Sequence, residues 1–184
     1  MFACHVTHEL QLRVLEVRHA EEIFAVVDRN RSHLRRWLPW VDGDRSVDDS
    51  RKFCESAIRQ FASGNGFHAG MWAKGNFIGV IGLHWIDWPN RRTSLGYWLD
   101  KSAEGRGWMT AACRAMVDHA LIELNLNRVE IRCATQNHKS LAIPHRLGFT
   151  HEGTVRQVEW LNDHFVDHEV YGMLKEQWEA MKTR

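Results

Sequence analysis

Near the start of the chain, the spacing of apolar residues changes from that of a strand to that of a helix. Apolar and polar residues alternate over 10–14, which predicts a half-buried strand. Apolar residues then recur at helical spacing over 20–27. A second, short helix is predicted over 33–38 because Pro39 follows and stops it, and residues 40–45 are expected to form a loop.

A third helix is predicted to begin after Ser46. Ser46 and Asp49 resemble a capping box in which aspartate stands in place of glutamate. The apolar residues that follow, including Phe53 and Ala57, occupy one helical face, and the helix is expected to end before Gly64.

Three strands are predicted in the middle of the chain, over 67–73, 77–86 and 92–99. Aromatic and β-branched residues are frequent in these segments. Turn-forming residues separate the segments at 74–76 and 88–91. Such short connections predict that the three strands pair in antiparallel fashion.

Helices and strands are predicted to alternate in the second half of the chain. A helix over 109–124 follows a glycine-rich turn, a strand follows over 129–133, and a short helix follows over 138–146. Two further strands, over 153–161 and 164–173, are predicted to form a hairpin. Three consecutive strands without intervening helices exclude a purely doubly wound sheet, so the predicted class is α+β, or mixed α/β.

Composition and charge narrow the classes of function. The 184 residues, 44% apolar and 26% charged, are typical of one globular domain, here 1–184. A net charge of +1 leaves no basic field for nonspecific binding of nucleic acid. No apolar run approaches the ~20 residues of a membrane-spanning helix. No basic start precedes an apolar stretch at the N-terminus, so a cytoplasmic protein is expected.

The cysteine and histidine patterns predict neither a metal site nor a disulfide framework. The four cysteines include no C-x-x-C pair and are expected to be reduced thiols, and the twelve histidines have no chelating spacing. Nine tryptophans stand against two tyrosines, and several tryptophans lie among polar residues where not all can be core. Some of these are expected to line a binding surface: Trp37, Trp40, Trp85, Trp88 and Trp160.

The most informative segment, 97–112, has the pattern of a strand, a tight glycine turn and a helix start. Backbone N–H groups at such a turn point outward, and the helix dipole adds partial positive charge, which suits a phosphate or pyrophosphate. The candidate donors are Gly105, Arg106, Gly107, Trp108, Met109 and Thr110. The spacing fits neither a P-loop nor a dinucleotide fingerprint. A glycine-rich turn that binds nothing is the alternative interpretation.

A second segment, 136–149, follows the next predicted strand. Together the two segments resemble the acyl-CoA signature of the GNAT superfamily of N-acyltransferases, and the element order fits that fold over nearly the whole chain. Within the superfamily the chain is most similar to the Rim-type enzymes, which acetylate the N-terminal amine of ribosomal proteins. The resemblance implies a GNAT-like fold in which acetyl-CoA lies between splayed central strands.

The family's pyrophosphate motif, Q/R-x-x-G-x-G/A, falls on 104–109 with two departures. Glu104 is acidic where the family usually has glutamine or arginine, and Met109 is bulky where it often has glycine or alanine. Backbone donors do not depend on the side chain, so a pyrophosphate site is still expected. The family's second motif, N-x-x-S before a short helix that ends in G-F, matches Asn137, Ser140, Gly148 and Phe149.

The resemblance also implies catalytic roles. Asn137 and the backbone near Leu99 would hold the pantetheine arm. Many GNAT enzymes carry a tyrosine shortly after the serine position to protonate the departing thiolate, but 141–144 contain none here. In the Rim-type pattern the serine itself, Ser140, contacts the cofactor sulfur, and Glu159 on the penultimate strand is the general base. Without the resemblance, Glu159 would be interpreted as a solvated charge on a strand.

The expected function is transfer of an acetyl group from acetyl-CoA to the N-terminal α-amine of a protein such as a ribosomal protein. An α-amine with a pKa of ~7.7 to 8.0 is partly neutral at pH 7, whereas a lysine amine near 10.4 is almost fully charged. Trp37 and Trp40 are expected to border the acceptor groove. The alternatives are acetylation of a small-molecule amine and a CoA-binding module without turnover. A homodimer is compatible with the sequence but does not follow from it.

Overall fold

An eight-stranded sheet in the order β1-β2-β3-β4-β5-β6-β8-β7 runs through the protein, of which the computed structural model describes residues 3–182. The strands are β1 (Ala3–His5), β2 (Leu10–Val14), β3 (Phe67–Ala73), β4 (Asn76–Asp87), β5 (Arg92–Leu99), β6 (Arg128–Ala134), β7 (Thr150–Leu161) and β8 (His164–Leu174). The helices are α1 (Ala20–Arg29), α2 (Arg31–Leu34), α3 (Val47–Ala62), α4 (Trp108–Asp118), α5 (His138–Arg146) and α6 (Lys175–Lys182). The predicted α+β class is confirmed.

The central strands β5 and β6 are the one parallel pair of the described sheet, and they separate after a short contact. Their pairing is confined to three residue pairs, which run from Arg92 opposite Arg128 to Ser94 opposite Glu130. Beyond these pairs β5 continues to Leu99 and β6 to Ala134. The sheet therefore opens in its middle, and this agrees with the splayed central strands that the family resemblance implies.

Two hydrophobic clusters cover the two faces of the sheet. The larger cluster joins β3, β4, β5 and β6 to α4, α5 and α6, with Trp178 of α6 buried and its Nε1 donating to Asp118 Oδ1 at 2.7 Å. The smaller cluster packs α1 and α3 against the opposite face, where it meets Trp72 and Phe77. Because side chains alternate along a strand, β5 presents Tyr97 and Leu99 to the first cluster and Trp98 to the second.

Most predicted elements are present. Ser46 is the N-cap of α3, but the capping box is incomplete, because the Asp49 carboxylate accepts from the backbone N–H of Arg45 rather than from that of Ser46. Ser46 Oγ accepts a hydrogen bond from the backbone N–H of Asp49 at 3.3 Å and donates to Asp49 Oδ2 at 2.7 Å. Two elements were not predicted: β1, which has three residues, and α6, in which Trp178 is the single buried residue. Neither segment carries enough apolar residues to show a period.

Several boundaries differ from prediction, among them the start of β7, which is Thr150 rather than Gly153. The helix expected over 33–38 ends at Leu34, and the expected loop at 40–45 begins with a 3₁₀ turn over Pro39–Asp42. Pro39 starts that turn, because proline fits the first position of a helix. The long helix after the glycine turn ends in a π turn over His119–Glu123. Between residues 3 and 182, no helix is both long and apolar enough to cross a membrane.

Candidate active site

A cleft of about 1560 Å³ opens where β5 and β6 separate. Small-molecule sites commonly measure about 300 to 1,000 Å³, so this cleft has room for two substrate groups at once. Its walls contain residues from both faces of the sheet, including Leu99 from the first and Trp98 from the second. Leu99, predicted to lie beside the pantetheine arm, is the last residue of β5 and lines the cleft.

The glycine turn lies at one side of this cleft. Gly105 and Gly107 both have φ of 75°, a region that favours glycine, and Gly107 is the N-cap of α4. A Cβ added at either position would meet no protein atom within 4 Å, so both face open space. The first N–H groups of α4, from Trp108 onward, have no intrahelical acceptor and are available to an anion.

The side chains after the glycine turn have separate surroundings. The exposed Arg106 guanidinium lies 5.1 Å from the centroid of the Trp108 ring, which is partly buried and packs against the larger cluster. Met109 is buried in the larger cluster, so only its backbone can serve an anion. Thr110 lines the cleft, and its Oγ1 accepts a hydrogen bond from Arg146 Nη1 at 3.4 Å.

Glu104, the acidic departure from the family motif, joins three elements at the cleft. Its carboxylate forms an ion pair with Lys139 of α5 and lies 3.2 Å from His33 Nε2 of α2. Burial lowers the pKa of His33, which favours its neutral form. Lys139 therefore supplies the full positive charge opposite this carboxylate. The pair links the glycine turn to α5 across the cleft.

Ser140 lies in the first turn of α5, where Asn137 caps the helix. Asn137 Oδ1 accepts from the backbone N–H of Ser140 at 3.3 Å, so this predicted pantetheine ligand also has a structural role. Ser140 Oγ lies 3.0 Å from Cys133 Sγ and donates to the hydroxyl of Tyr97 at 3.2 Å. Burial raises the pKa values of Tyr97 and Cys133, so both groups are protonated at neutral pH.

Glu159 lines the same cleft from β7 and is half-buried rather than a fully solvated charge. A β-bulge places it there. Val155 pairs with His168, but Glu159 already pairs with Val166, so β7 carries two extra residues in this interval. Gln157 within the bulge has φ of 49°, and its N–H donates to Asp167 Oδ1 at 2.8 Å.

His168 of β8 is the immediate partner of Glu159. His168 Nε2 lies 3.2 Å from Glu159 Oε2, and both side chains line the cleft. The imidazole therefore fixes the position of the carboxylate. No contact between His168 and Glu159 was predicted from the sequence, because that contact depends on the bulge in the neighbouring strand.

Tryptophans line the cleft on the α1 and α3 face. Trp37 and Trp40 both lie in its wall, and Trp40 is 40% exposed with its ring centroid 6.1 Å from that of Trp98. The loop that carries them is tied to the β7-β8 hairpin, because Asn162 Nδ2 donates to the carbonyl of Arg35 at 2.9 Å. Three other exposed tryptophans, which do not line the cleft, are Trp85, Trp88 and Trp160.

Two histidines that the sequence analysis missed also line this face of the cleft. The rings of His68 on β3 and His84 on β4 lie 6.3 Å apart, and Phe53 of α3 contacts the edge of His68 at 5.4 Å. Burial lowers the pKa of His68 to about 4 and also lowers that of His84. Both imidazoles are therefore neutral at pH 7. Within residues 3–182, no group of three or more histidine, cysteine or carboxylate side chains is arranged to hold a metal ion.

Comparison with known proteins agrees with this arrangement. The model of the acetyltransferase (GNAT) domain family matches residues 9–150. The chain belongs to the GNAT acetyltransferase family. It is thus an N-acetyltransferase, and the glycine turn and α5 are the elements that the resemblance assigned to acyl-CoA.

Individual relatives cover almost the whole GNAT chain. The protein is 39% identical over 183 residues to YdaF of Bacillus subtilis, provisionally named a ribosomal N-acetyltransferase, with 99% of this chain and 100% of that protein covered. A structure of RimL, the ribosomal L7/L12 alpha-N-protein acetyltransferase, in complex with coenzyme A has a TM-score of 0.92 at 27% identity, with 96% of this chain and 99% of that chain covered. The microcin C7 self-immunity acetyltransferase MccE, with acetyl-CoA and AMP, has a TM-score of 0.88 at 26% identity, covering 92% and 94% of the two chains.

The low pKa of His68 predicts an acid-sensitive fold. Between about pH 6.5 and about pH 4 the unfolded chain binds a proton at this residue that the folded chain does not. The contribution of His68 to the free energy of unfolding is therefore fully present above pH 6.5 and is lost as the pH falls towards 4. Calorimetry should show that Tm falls less steeply over this range in His68→Gln than in the unchanged protein. The control is His8→Gln, which alters a highly exposed ring; equal slopes in all three proteins would contradict the prediction.

Proposed function

We propose that this GNAT enzyme transfers the acetyl group of acetyl-CoA to the N-terminal α-amine of a protein, with a ribosomal protein as the acceptor. The observation that carries the proposal is a single cleft that contains the glycine turn and start of α4 on one face of the sheet and carboxylate and tryptophan side chains on the other. Those two chemistries match a pyrophosphate and a cationic amine respectively.

Acetyl-CoA is the acetyl donor, and the glycine turn suits its pyrophosphate. The N–H groups at Gly107 and along the first turn of α4 would donate hydrogen bonds to the phosphate oxygens, since nothing in the protein fills the space beside Gly105 or Gly107. Lys139 and Arg146 of α5 line the cleft and add positive charge. The backbone at Leu99 and the amide of Asn137 would hold the pantetheine arm between β5 and β6.

Glu159 is proposed to take the proton of the attacking amine. An α-amine loses its proton near pH 8, so a carboxylate held by His168 in a half-buried position is a sufficient base for it, directly or through a water. The neutral nitrogen then bonds to the thioester carbon and releases its second proton to solvent, and the bond from that carbon to sulfur breaks with its electron pair left on sulfur. Ser140 would stabilise that thiolate by donating a hydrogen bond from its hydroxyl.

The names of relatives favour a protein acceptor, but a small amine is a specific alternative. RimL is a ribosomal L7/L12 alpha-N-protein acetyltransferase, and YdaF is provisionally named a ribosomal N-acetyltransferase. MccE, which has a similar fold, is the microcin C7 self-immunity acetyltransferase, and its structure contains AMP as well as acetyl-CoA. A binding module without turnover has less support, because Ser140 and Glu159 line one cleft.

The deciding experiment compares acceptors directly. The protein is incubated with acetyl-CoA and peptides that begin with serine, alanine or methionine, while free thiol is followed. The same peptides with a blocked N-terminus are the negative controls. A polyamine and an aminoacyl nucleotide are tested as alternative acceptors. Thiol release that requires a free peptide N-terminus supports the proposal, whereas turnover confined to the small amines would overturn it.

The pyrophosphate site predicts a ligand-dependent shift in Tm. Saturating acetyl-CoA should raise Tm by about 5 °C or more in the unchanged protein. Gly107→Ala should remove most of that shift, because its methyl group would project into the space for the phosphate. Gly75→Ala is the matched control, since Gly75 also has positive φ and open space around it but lies in the β3-β4 turn. Arg106→Ala should keep most of the shift; a full shift in Gly107→Ala would place the pyrophosphate elsewhere.

The acceptor wall predicts a selective effect of Trp40. Trp40→Ala should raise the acceptor KM about tenfold and leave the KM for acetyl-CoA nearly unchanged, because of the two substrates the ring would contact only the acceptor. Trp85→Ala is the control, since Trp85 is similarly exposed at 38% but lies outside the cleft. If Trp40→Ala instead lowers Tm with an unaltered acceptor KM, Trp40 is structural.

The two catalytic residues are expected to differ in pH dependence. Glu159→Gln should lower kcat by about 10² to 10⁴, and raising the pH should restore part of it because more of the amine is already neutral. Ser140→Ala should slow turnover without that alkaline recovery, and a thioester with a better leaving group should recover part of its loss. Steady-state rates from pH 6 to 9 test both. Near-normal kcat in both variants would mean that proximity alone carries the rate.

A further inference from the structure

We propose that Tyr97 is the positioning residue of Ser140. Tyr97 holds the Ser140 hydroxyl towards the acetyl-CoA sulfur and donates a hydrogen bond to Ser140 Oγ as the thiolate departs. The inference rests on the proposed function, because it takes Ser140 as the group that contacts the sulfur. It gives a tyrosine of β5 a positioning role, which differs from the proton donation that many GNAT enzymes obtain from a tyrosine shortly after the serine position, where 141–144 contain none.

Tyr97 contacts Ser140 at two points. The Tyr97 hydroxyl donates to the backbone carbonyl of Ser140 at 3.2 Å, and it accepts from Ser140 Oγ, also at 3.2 Å. The two residues are 43 positions apart in the chain and lie on elements that face each other across the opening of the sheet. One phenol group therefore fixes both the backbone and the side chain of the serine.

Pro144 explains why the Ser140 carbonyl can receive the tyrosine. In an α-helix this carbonyl would accept from the N–H four residues later, which is position 144. Proline has no N–H, so α5 leaves the Ser140 carbonyl without its helical donor. The Tyr97 hydroxyl supplies the missing hydrogen bond. The proline inside α5 is thus part of the arrangement that brings a phenol to Ser140.

The hydrogen bonds can be exchanged without moving any heavy atom. When the bond from the acetyl carbon to sulfur breaks, the electron pair stays on sulfur and Ser140 turns its O–H towards that charge. The Tyr97 O–H then rotates from the Ser140 carbonyl to Ser140 Oγ, which has lost no proton but has turned its hydrogen away. No proton changes owner among these groups. The amine proton goes to Glu159, and the sulfur is protonated later from solvent.

Two neighbours of Ser140 Oγ compete for this task, and the phenol is the stronger donor. Cys133 Sγ lies 3.0 Å from Ser140 Oγ, but a thiol is a weak hydrogen-bond donor. Burial raises the pKa of Tyr97, so the phenol keeps its proton at neutral pH. Tyr97 therefore remains a donor when charge develops on the sulfur.

Kinetics with a matched pair of tyrosine variants test the role. Tyr97→Phe removes one oxygen and should lower kcat about tenfold while the KM for acetyl-CoA changes less than about twofold. Tyr171→Phe is the control, because Tyr171 is the second of two tyrosines and its ring packs against His151 outside the cleft. It should leave kcat unchanged. A kcat for Tyr97→Phe within twofold of the unchanged protein, at equal Tm, would overturn the inference.

The double variant shows whether Tyr97 acts through Ser140. If it does, Tyr97→Phe should cost little once Ser140→Ala is present, so the double variant should have the kcat of Ser140→Ala within about twofold. A thioester with a better leaving group should recover part of the loss in Tyr97→Phe, as in Ser140→Ala. Losses that multiply in the double variant would mean that Tyr97 acts independently, against the inference.

A binding measurement separates this inference from the choice of acceptor. Fluorotyrosine incorporation gives two fluorine NMR signals, which the two phenylalanine variants assign. CoA should shift the Tyr97 signal more than desulfo-CoA, which lacks the sulfur, and Ser140→Ala should abolish that difference. No acceptor is needed, so the result stands even if no peptide is acetylated. Equal shifts with both ligands would overturn the role of Tyr97, whereas failure of every peptide in the acceptor assay would overturn only the proposed function.

Discussion

The separation of β5 from β6 after three residue pairs is the constraint on which the site depends. A strand edge inside a protein carries N–H and C=O groups that must find partners, because an unpaired buried group costs about as much as a lost hydrogen bond. Two such edges face each other beyond Ser94. A ligand rich in amides, such as a pantetheine arm, can pair with them as a neighbouring strand would. The opening is therefore stable in the presence of a substrate of that kind.

The surrounding elements each place one group at this opening by a local device. Left-handed glycines turn the chain so that α4 starts at the cleft, and an asparagine cap starts α5 beside it. A bulge in β7 carries two additional residues and so brings Glu159 to face His168. The catalytic groups belong to helix starts and strands, which hold their positions more accurately than loops do.

Local patterns predicted the parts of the site that are built from adjacent residues. The glycine turn could be found because its geometry is encoded within a few positions. Asn137 was identified through the family's motif, and its role as the cap of α5 is seen only in the structure. Glu159 was identified only through the family resemblance, because the bulge breaks the alternation that normally assigns strand faces. Tyr97 and His168 were missed for a related reason. Their roles depend on contacts with another element, and a single sequence carries no signal for such pairs.

The ion pair between Glu104 and Lys139 has a consequence for how the cleft fills. A carboxylate at the rim of a pyrophosphate site repels the incoming anion, while the ammonium beside it attracts the same anion. The two effects largely cancel at long range, so the approach of acetyl-CoA gains little electrostatic steering from this corner. Recognition at the rim then depends on short-range hydrogen bonds with the amides. A chain with glutamine or arginine at this position would instead attract the anion from a distance, and its association rate would be more sensitive to salt.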